Sequence, residues 1–110
     1  MSSIRGDGLV MGATAELALV EAPSRLVAET RVDFRSAAMD GLERAAGCGE
    51  SVLRIEMGET SDVDASGLGT LVVVQKRARE RGLQTILVRT QGPVRSLLAA
   101  TRLEGLFEFQ

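Results

Sequence analysis

Histidine, tryptophan and tyrosine are absent from this 110-residue chain, and cysteine occurs once. Without histidine there is no Ser-His-Asp or Cys-His nucleophile, and the common zinc sites lose their main nitrogen ligand. Three phenylalanines are the whole aromatic complement. The core must therefore be aliphatic, and the stacking platforms that read single-stranded nucleic acid are missing. Cys48 has no partner for an intramolecular disulfide and reads as a passive residue of the turn Gly47-Cys48-Gly49. No apolar run approaches the roughly 18 residues of a membrane span. No long apolar stretch follows Arg5 and Asp7 as a signal peptide requires. The cytoplasm is the expected location, without direct membrane insertion.

What is present suits one small soluble domain. The length falls within the usual size of a single domain, and the 45% hydrophobic content supplies an aliphatic core without staples. The formal net charge is -2, from 13 basic and 15 acidic side chains. Residues 1–74 hold six basic and twelve acidic groups, whereas residues 75–102 hold seven basic groups and only Glu80. The balance is not that of a nucleic-acid binder. Lys76, Arg77, Arg79 and Arg81 read as a solvated helix face, with a partner-binding role as the alternative.

Residues 1–14 mix Ser, Gly and Met without a period and are expected to form a flexible N-terminal tail, leaving 15–110 as the folded domain. Ala15 to Val20 alternates weakly as a strand, and Pro23-Ser24 signals a turn. Arg25 to Val32 is a second extended candidate, with Leu26, Ala28 and Val32 on one face. A helix is expected to start within Asp33-Phe34-Arg35-Ser36, capped by Asp33 or Ser36, and to end at Gly47 and Gly49. Ser51 to Met57 predicts a half-buried strand through Leu53, Ile55 and Met57, and Gly58 to Asp64 a loop. From Ser66 the spacing of Leu68, Leu71, Val72, Gln75 and Ala78 predicts a helix that Gly82 stops. Leu83 to Val88 is a strand. Pro93 opens a further helix whose buried side is Leu97, Leu98 and Leu103. Leu106 to Phe109 is a last strand. Strands alternating with helices predict an α/β fold, a mixed and mostly parallel sheet of four to five strands flanked by helices.

The segment Asp62-Val63-Asp64-Ala65-Ser66-Gly67-Leu68-Gly69-Thr70-Leu71 joins a strand to a helix. A helix N-terminus carries unpaired N–H groups and about half a positive charge, which favours an anion or a phosphoryl group there. Along the chain, Glu56, Glu59, Asp62 and Asp64 surround the position, and residues 55–70 include no basic side chain. A phosphate on this turn is thus expected to meet like charge and to disrupt a partner surface.

Asp64-Ala65-Ser66-Gly67-Leu68-Gly69 resembles the Asp-Ser-Ser/Thr-Gly-Leu-Gly motif of STAS domains of the anti-sigma factor antagonist type. The likeness extends over about 15–110. It includes the basic helix ending at Gly82, Pro93-Val94 before a Leu-rich helix, and Leu103-Glu104-Gly105-Leu106-Phe107. More loosely, Thr30 to Ala38 takes the place of the family's Gly-Glu-Leu-Asp helix start. The resemblance implies a single STAS-like domain that binds a serine-kinase-type anti-sigma factor and so regulates sigma-dependent transcription. Any ATP and Mg²⁺ would belong to that kinase, and no cofactor to this chain. The partner surface implied is Asp62, Asp64, Ala65, Ser66, Gly67, Leu68 and Gly69. A homodimer is compatible with it.

In the family the phosphorylated serine directly follows the aspartate, and here that residue is Ala65, which has no hydroxyl. Either Ser66 is the substitute acceptor, or phosphorylation at this loop never switches the protein; the second reading is preferred, since a kinase must place one specific oxygen in line. Each residue also has a plainer role. Ser66 reads as the helix N-cap. Asp64 is either an orienting carboxylate or a loop residue bonded to nearby N–H groups. Asp62 and Asp64 alone are a poor Mg²⁺ site. Gly67 and Gly69 allow close backbone approach, to a partner or to a neighbouring strand, while Leu68 and Leu71 belong to the core. No nucleophile is paired with a base, so an enzyme is not expected. The remaining alternative is a scaffold or regulatory subunit of a signalling complex or of a lipid-transport ABC system.

Overall fold

The computed structural model describes residues 19–110. The expected tail at 1–14 and the first part of the expected strand, 15–18, lie outside the described residues. The elements in chain order are β1 (Leu19–Glu21), β2 (Arg25–Leu26), α1 (Arg31–Gly47), β3 (Val52–Glu56), β4 (Asp62–Val63), α2 (Ala65–Glu80), β5 (Gln84–Val88), α3 (Gly92–Ala100), a 3-10 turn (Glu104–Leu106) and β6 (Glu108–Phe109). Four strands pair in the order β1-β3-β5-β6, parallel at every pairing, and β2 pairs with β4 as a separate parallel ribbon. The α/β class and the parallel sheet are as the alternation of elements predicts.

Register explains the core. Leu19 opposite Arg54 and Val20 opposite Ile55 put Val20, Leu53 and Ile55 on one face, and Thr85 and Leu87 join them through β5. Against them α1 sets Phe34, Ala38, Leu42 and Ala45, and α2 sets Leu71, Val74 and Ala78. These positions recur every three to four residues, the period of one helix face. Val94, Leu98 and Phe107 complete the same cluster. Gly41 sits where α1 comes closest to the sheet: a Cβ there would lie 2.6 Å from Val20 Cγ2. Gly49 and Gly82 follow α1 and α2 with φ of +77° and +78°, the left-handed conformation that ends helices most cheaply in glycine.

Four expectations need correction. The extended candidate Arg25 to Val32 is a strand only at Arg25–Leu26, after which the chain turns and α1 begins at Arg31. The alternation Leu26, Ala28, Val32 is misleading because Val32 is already helical and 67% exposed. Neither Asp33 nor Ser36 caps α1. Thr30 holds the N-cap position with its carbonyl accepting from the Phe34 N–H (3.1 Å) but without a side-chain bond to the helix, and its hydroxyl closes the preceding turn, accepting from the Val27 N–H (3.0 Å) and donating to the Arg25 carbonyl (2.6 Å). The Gly58–Asp64 loop contains β4, and the last strand is confined to Glu108–Phe109 behind the 3-10 turn.

The close approach at Gly41 makes a direct test. Gly41→Ala gains about 1 kcal/mol of helix propensity but overpacks the sheet. Its expected net effect is a loss of about 1 kcal/mol or more in urea unfolding. In a Val20→Ala background the same change should be neutral or stabilising, a coupling that a double-mutant cycle reads directly.

Candidate functional site

The turn between β4 and α2 is held against the first β-ribbon by hydrogen bonds that begin before it. Thr60, fully buried, donates its hydroxyl to the Pro23 carbonyl (2.7 Å), and the Ser61 N–H donates to Ser24 (3.0 Å). The Asp64 N–H reaches the Leu26 carbonyl at 3.3 Å. Asp64 is the N-cap of α2. One carboxylate oxygen accepts from the Gly67 N–H (2.8 Å) and the other from the Ala28 N–H (3.1 Å), across 36 positions of sequence. The Gly67 bond, followed by the Ala28 bond, holds the Asp64 carboxyl below its ordinary pKa. Of the two sequence readings of Asp64, the loop residue bonded to backbone N–H groups describes its contacts.

Ser66 is therefore not the N-cap. It is the second residue of α2, half-buried, and its carbonyl accepts from the Thr70 hydroxyl at 2.9 Å. Two hydrogen-bonding residues, Asp64 and Ser66, flank Ala65. The carboxylate wins the cap because Asp64 has the extended backbone of a cap, with ψ of -174°, while Ser66 already lies in the helix. Gly67 is buried against β2, and a Cβ on it would run into the Leu26 carbonyl oxygen. Gly69 differs, since a Cβ there would meet nothing within 4 Å. Close approach to a neighbouring strand is thus the role of Gly67 and not of Gly69. Leu71 is fully buried, and half-buried Leu68 packs against the same core.

Ala65, Ser66, Gly69 and Thr70 form one wall of a cavity of about 440 Å³, and Arg31, Val32 and Arg35 from α1 form the other, with Val73 alongside. Val32 and Val73, at 67% and 41% exposure, are its apolar rim. Arg31 and Arg35 are exposed and make no ion pair among the described residues. The acidic side chains of residues 55–70 are joined here by cations from elsewhere in the chain. Arg25 pairs with Asp62 (3.1 Å), Arg89 pairs with Glu56 (2.9 Å), Asp64 is taken up by backbone N–H groups, and two unpaired guanidinium groups share the cavity with Ala65 and Ser66. An anion here meets positive charge from α1 and from the N-terminus of α2. The sequence signal for this lay in Arg31 and Arg35, spaced four apart on one helix face.

The basic face of α2 is largely solvated. Arg77 and Arg81 both pair with Glu43 of α1, at 3.0 and 3.2 Å, and Arg77 also with Glu80. No group of three or more metal-ligating His, Cys, Asp or Glu side chains occurs among the described residues, and none of their helices is long and apolar enough to cross a membrane.

Two substitutions separate the glycines. Gly67→Ala should cost about 3 kcal/mol or more, since backbone must move, whereas Gly69→Ala should be neutral or gain up to about 1 kcal/mol; chemical denaturation measures both. The lowered pKa of Asp64 means that its contribution is present at neutral pH and is lost as pH falls through the folded-state value. Asp64→Asn keeps the cap acceptor but does not titrate. The stability advantage of the native chain over this variant should therefore shrink below about pH 4 in a series of thermal melts.

Comparison with known proteins places this geometry. The STAS domain family model matches residues 12–110. The crystal structure of a proposed anti-sigma factor antagonist from Thermotoga maritima, TM1081, superposes with a TM-score of 0.67 at 22% identity, over 84% of this chain and 78% of that one. The NMR structure of TM1081 gives 0.68 at 18% identity, over 84% and 71%. No curated protein sequence matches. With its Asp64-capped turn, its parallel sheet and a profile match over nearly its whole length, the chain belongs to the STAS domain family.

Proposed function

We propose that this domain is an anti-sigma factor antagonist, binding a serine-kinase-type anti-sigma factor in the cytoplasm and releasing the sigma factor that it holds. The observation that carries the reading is the hydrogen-bonded turn Asp64–Gly69 and its exposed Ala65, set beside the apolar and cationic groove between α1 and α2. A protein surface suits this groove. It has an apolar rim, two guanidinium groups with no intramolecular carboxylate among the described residues, and no paired nucleophile and base for chemistry. The similarity to TM1081 supports the same reading. ATP and Mg²⁺ belong to the partner, and this chain acts without a cofactor or metal of its own.

Ala65 makes the interaction constitutive: where a kinase would place its acceptor oxygen there is a methyl group. Ser66 is a poor substitute, being half-buried within the first turn of α2. The second reading, a scaffold or transporter subunit that has kept the fold without the switch, is favoured by that same alanine.

Affinity capture of the tagged domain from its native cytoplasm, read by mass spectrometry, distinguishes the two. Recovery of an anti-sigma kinase supports the antagonist, and recovery of transporter or scaffold subunits supports the alternative. With the kinase in hand, Arg31→Glu combined with Arg35→Glu should weaken binding by about tenfold or more, most strongly at low salt. Incubated with the kinase and Mg-ATP, Ala65→Ser should take up phosphate and the native chain should not. Uptake by the native chain that Ser66→Ala abolishes would instead make Ser66 the acceptor.

A further inference from the structure

The sheet runs in the order β1-β3-β5-β6 with every pairing parallel, so each crossover steps in the same direction. Crossovers between parallel strands are right-handed, and three in one direction put α1, α2 and α3 on a single face. The core agrees, since Phe34, Leu71 and Val94 from the three helices share one cluster with Leu53 and Leu87. The opposite face of the sheet therefore has no helix on it among the described residues. Sheets that are parallel throughout are almost always covered on both faces.

The side chains there are those of a covered face. Register sets Leu19, Arg54, Ile86 and Glu108 in one row across the four strands, with Val52 and Val88 beside it. Ile86 is 7% exposed although it lies outside the core cluster. Val52, Arg54 and Val88 are half-buried. A sheet face left to water carries polar groups at such positions. Arg54 makes no ion pair among the described residues, so its guanidinium stands amid aliphatic groups with no carboxylate bonded to it.

We infer that this face is the docking surface of residues 1–18 of the same chain, with their aliphatic side chains over Val52, Ile86 and Val88 and a carboxylate, Asp7 or Glu16, on Arg54. The segment runs directly into Leu19, whose side chain stands at the edge of the face. It carries Leu9, Val10, Met11 and Leu17, and Asp7 and Glu16 are its acidic groups. Three strand spacings, about 14 Å, separate β1 from β6. A handful of extended residues, at about 3.3 Å each, covers that distance. A second copy fits worse. Strands of two to five residues give a face of roughly 14 by 17 Å, far below the roughly 800 Å² per partner of a stable association. A tethered segment has no such requirement, because its effective concentration is already in the millimolar range. The face lies across the sheet from α1 and α2. This docking therefore leaves the groove beside Ala65 open and does not depend on how that groove is used.

The test is paramagnetic broadening in the ¹⁵N-labelled full chain, with a nitroxide on Met11→Cys in a Cys48→Ser background, since native Cys48 is exposed. A docked segment lies about 10 Å from the sheet, with α1 and α2 about as far again behind it. Broadening falls with the sixth power of distance. The Arg54 and Ile86 amides should thus lose at least about half of their intensity, while those of Val32 and Val73 keep theirs. Asp7→Lys combined with Glu16→Lys should cut the effect at Ile86 about twofold or more, and Arg54→Glu in that chain should restore it. Equal broadening over the whole domain, broadening centred on Val32 and Val73, or indifference to the charge reversals would each overturn the assignment. So would the same pattern in a mixture where the nitroxide is on an unlabelled chain and the ¹⁵N chain has none, which would make the occupant a second copy.

Discussion

The Asp64 carboxylate, bonded at once to Gly67 in α2 and to Ala28 beyond β2, is the contact on which the geometry of the domain's presenting turn depends. It works because Gly67 has no side chain. With any Cβ there, the helix could not come down onto the Leu26 carbonyl, and the carboxylate could not span both segments. Cap, close approach and the β2–β4 ribbon are therefore one constraint seen from three sides. Ala65 and Ser66 receive their positions from it, the first exposed at the start of α2 and the second half-buried within its first turn.

The electrostatic character of the turn follows from the same packing. Read along the chain, residues 55–70 are a run of carboxylates without a cation. In the folded domain Arg25 and Arg89 arrive from elsewhere to pair with Asp62 and Glu56, and α1 brings Arg31 and Arg35 to the groove. The surface offered beside Ala65 is thus apolar and cationic. Such a surface suits a partner with acidic and aliphatic groups, and electrostatic steering would speed the encounter.

Helix α2 serves both ends of the molecule. Its N-terminus carries the capped turn, and its middle supplies Leu71, Val74 and Ala78 to the core. Its C-terminal half ties Arg77 and Arg81 to Glu43 of α1. At 18–22% identity to TM1081 the fold is retained, as expected when it rests on aliphatic periodicity and two or three special backbone positions rather than on particular side chains.

Much of this was written locally. Alternation in Val52–Glu56, the helical spacing of Leu71, Val74 and Ala78, the glycines after α1 and α2, and Pro93 at the start of α3 determined elements and fold class, because each acts through neighbours within a turn or a strand pair. The importance of Asp64–Gly69 and the missing hydroxyl of Ala65 were equally legible. Which residue caps α2, where the second strand stops, and which charge surrounds the turn were not. Ser66 and Asp64 are equivalent as caps until the backbone dihedrals are set. Val32 continues a strand pattern until Thr30 folds its hydroxyl back onto the Arg25–Val27 turn. Arg31 and Arg35 are solvated side chains until α1 packs against α2. The strand's end is settled by a turn of three to five positions that competes with the strand pattern. The charge around the turn and the second bond of Asp64 instead rest on contacts 30 or more positions apart, like the bond from Ala28 to Asp64, and a local pattern contains no term for a charge or a carbonyl that only packing brings near.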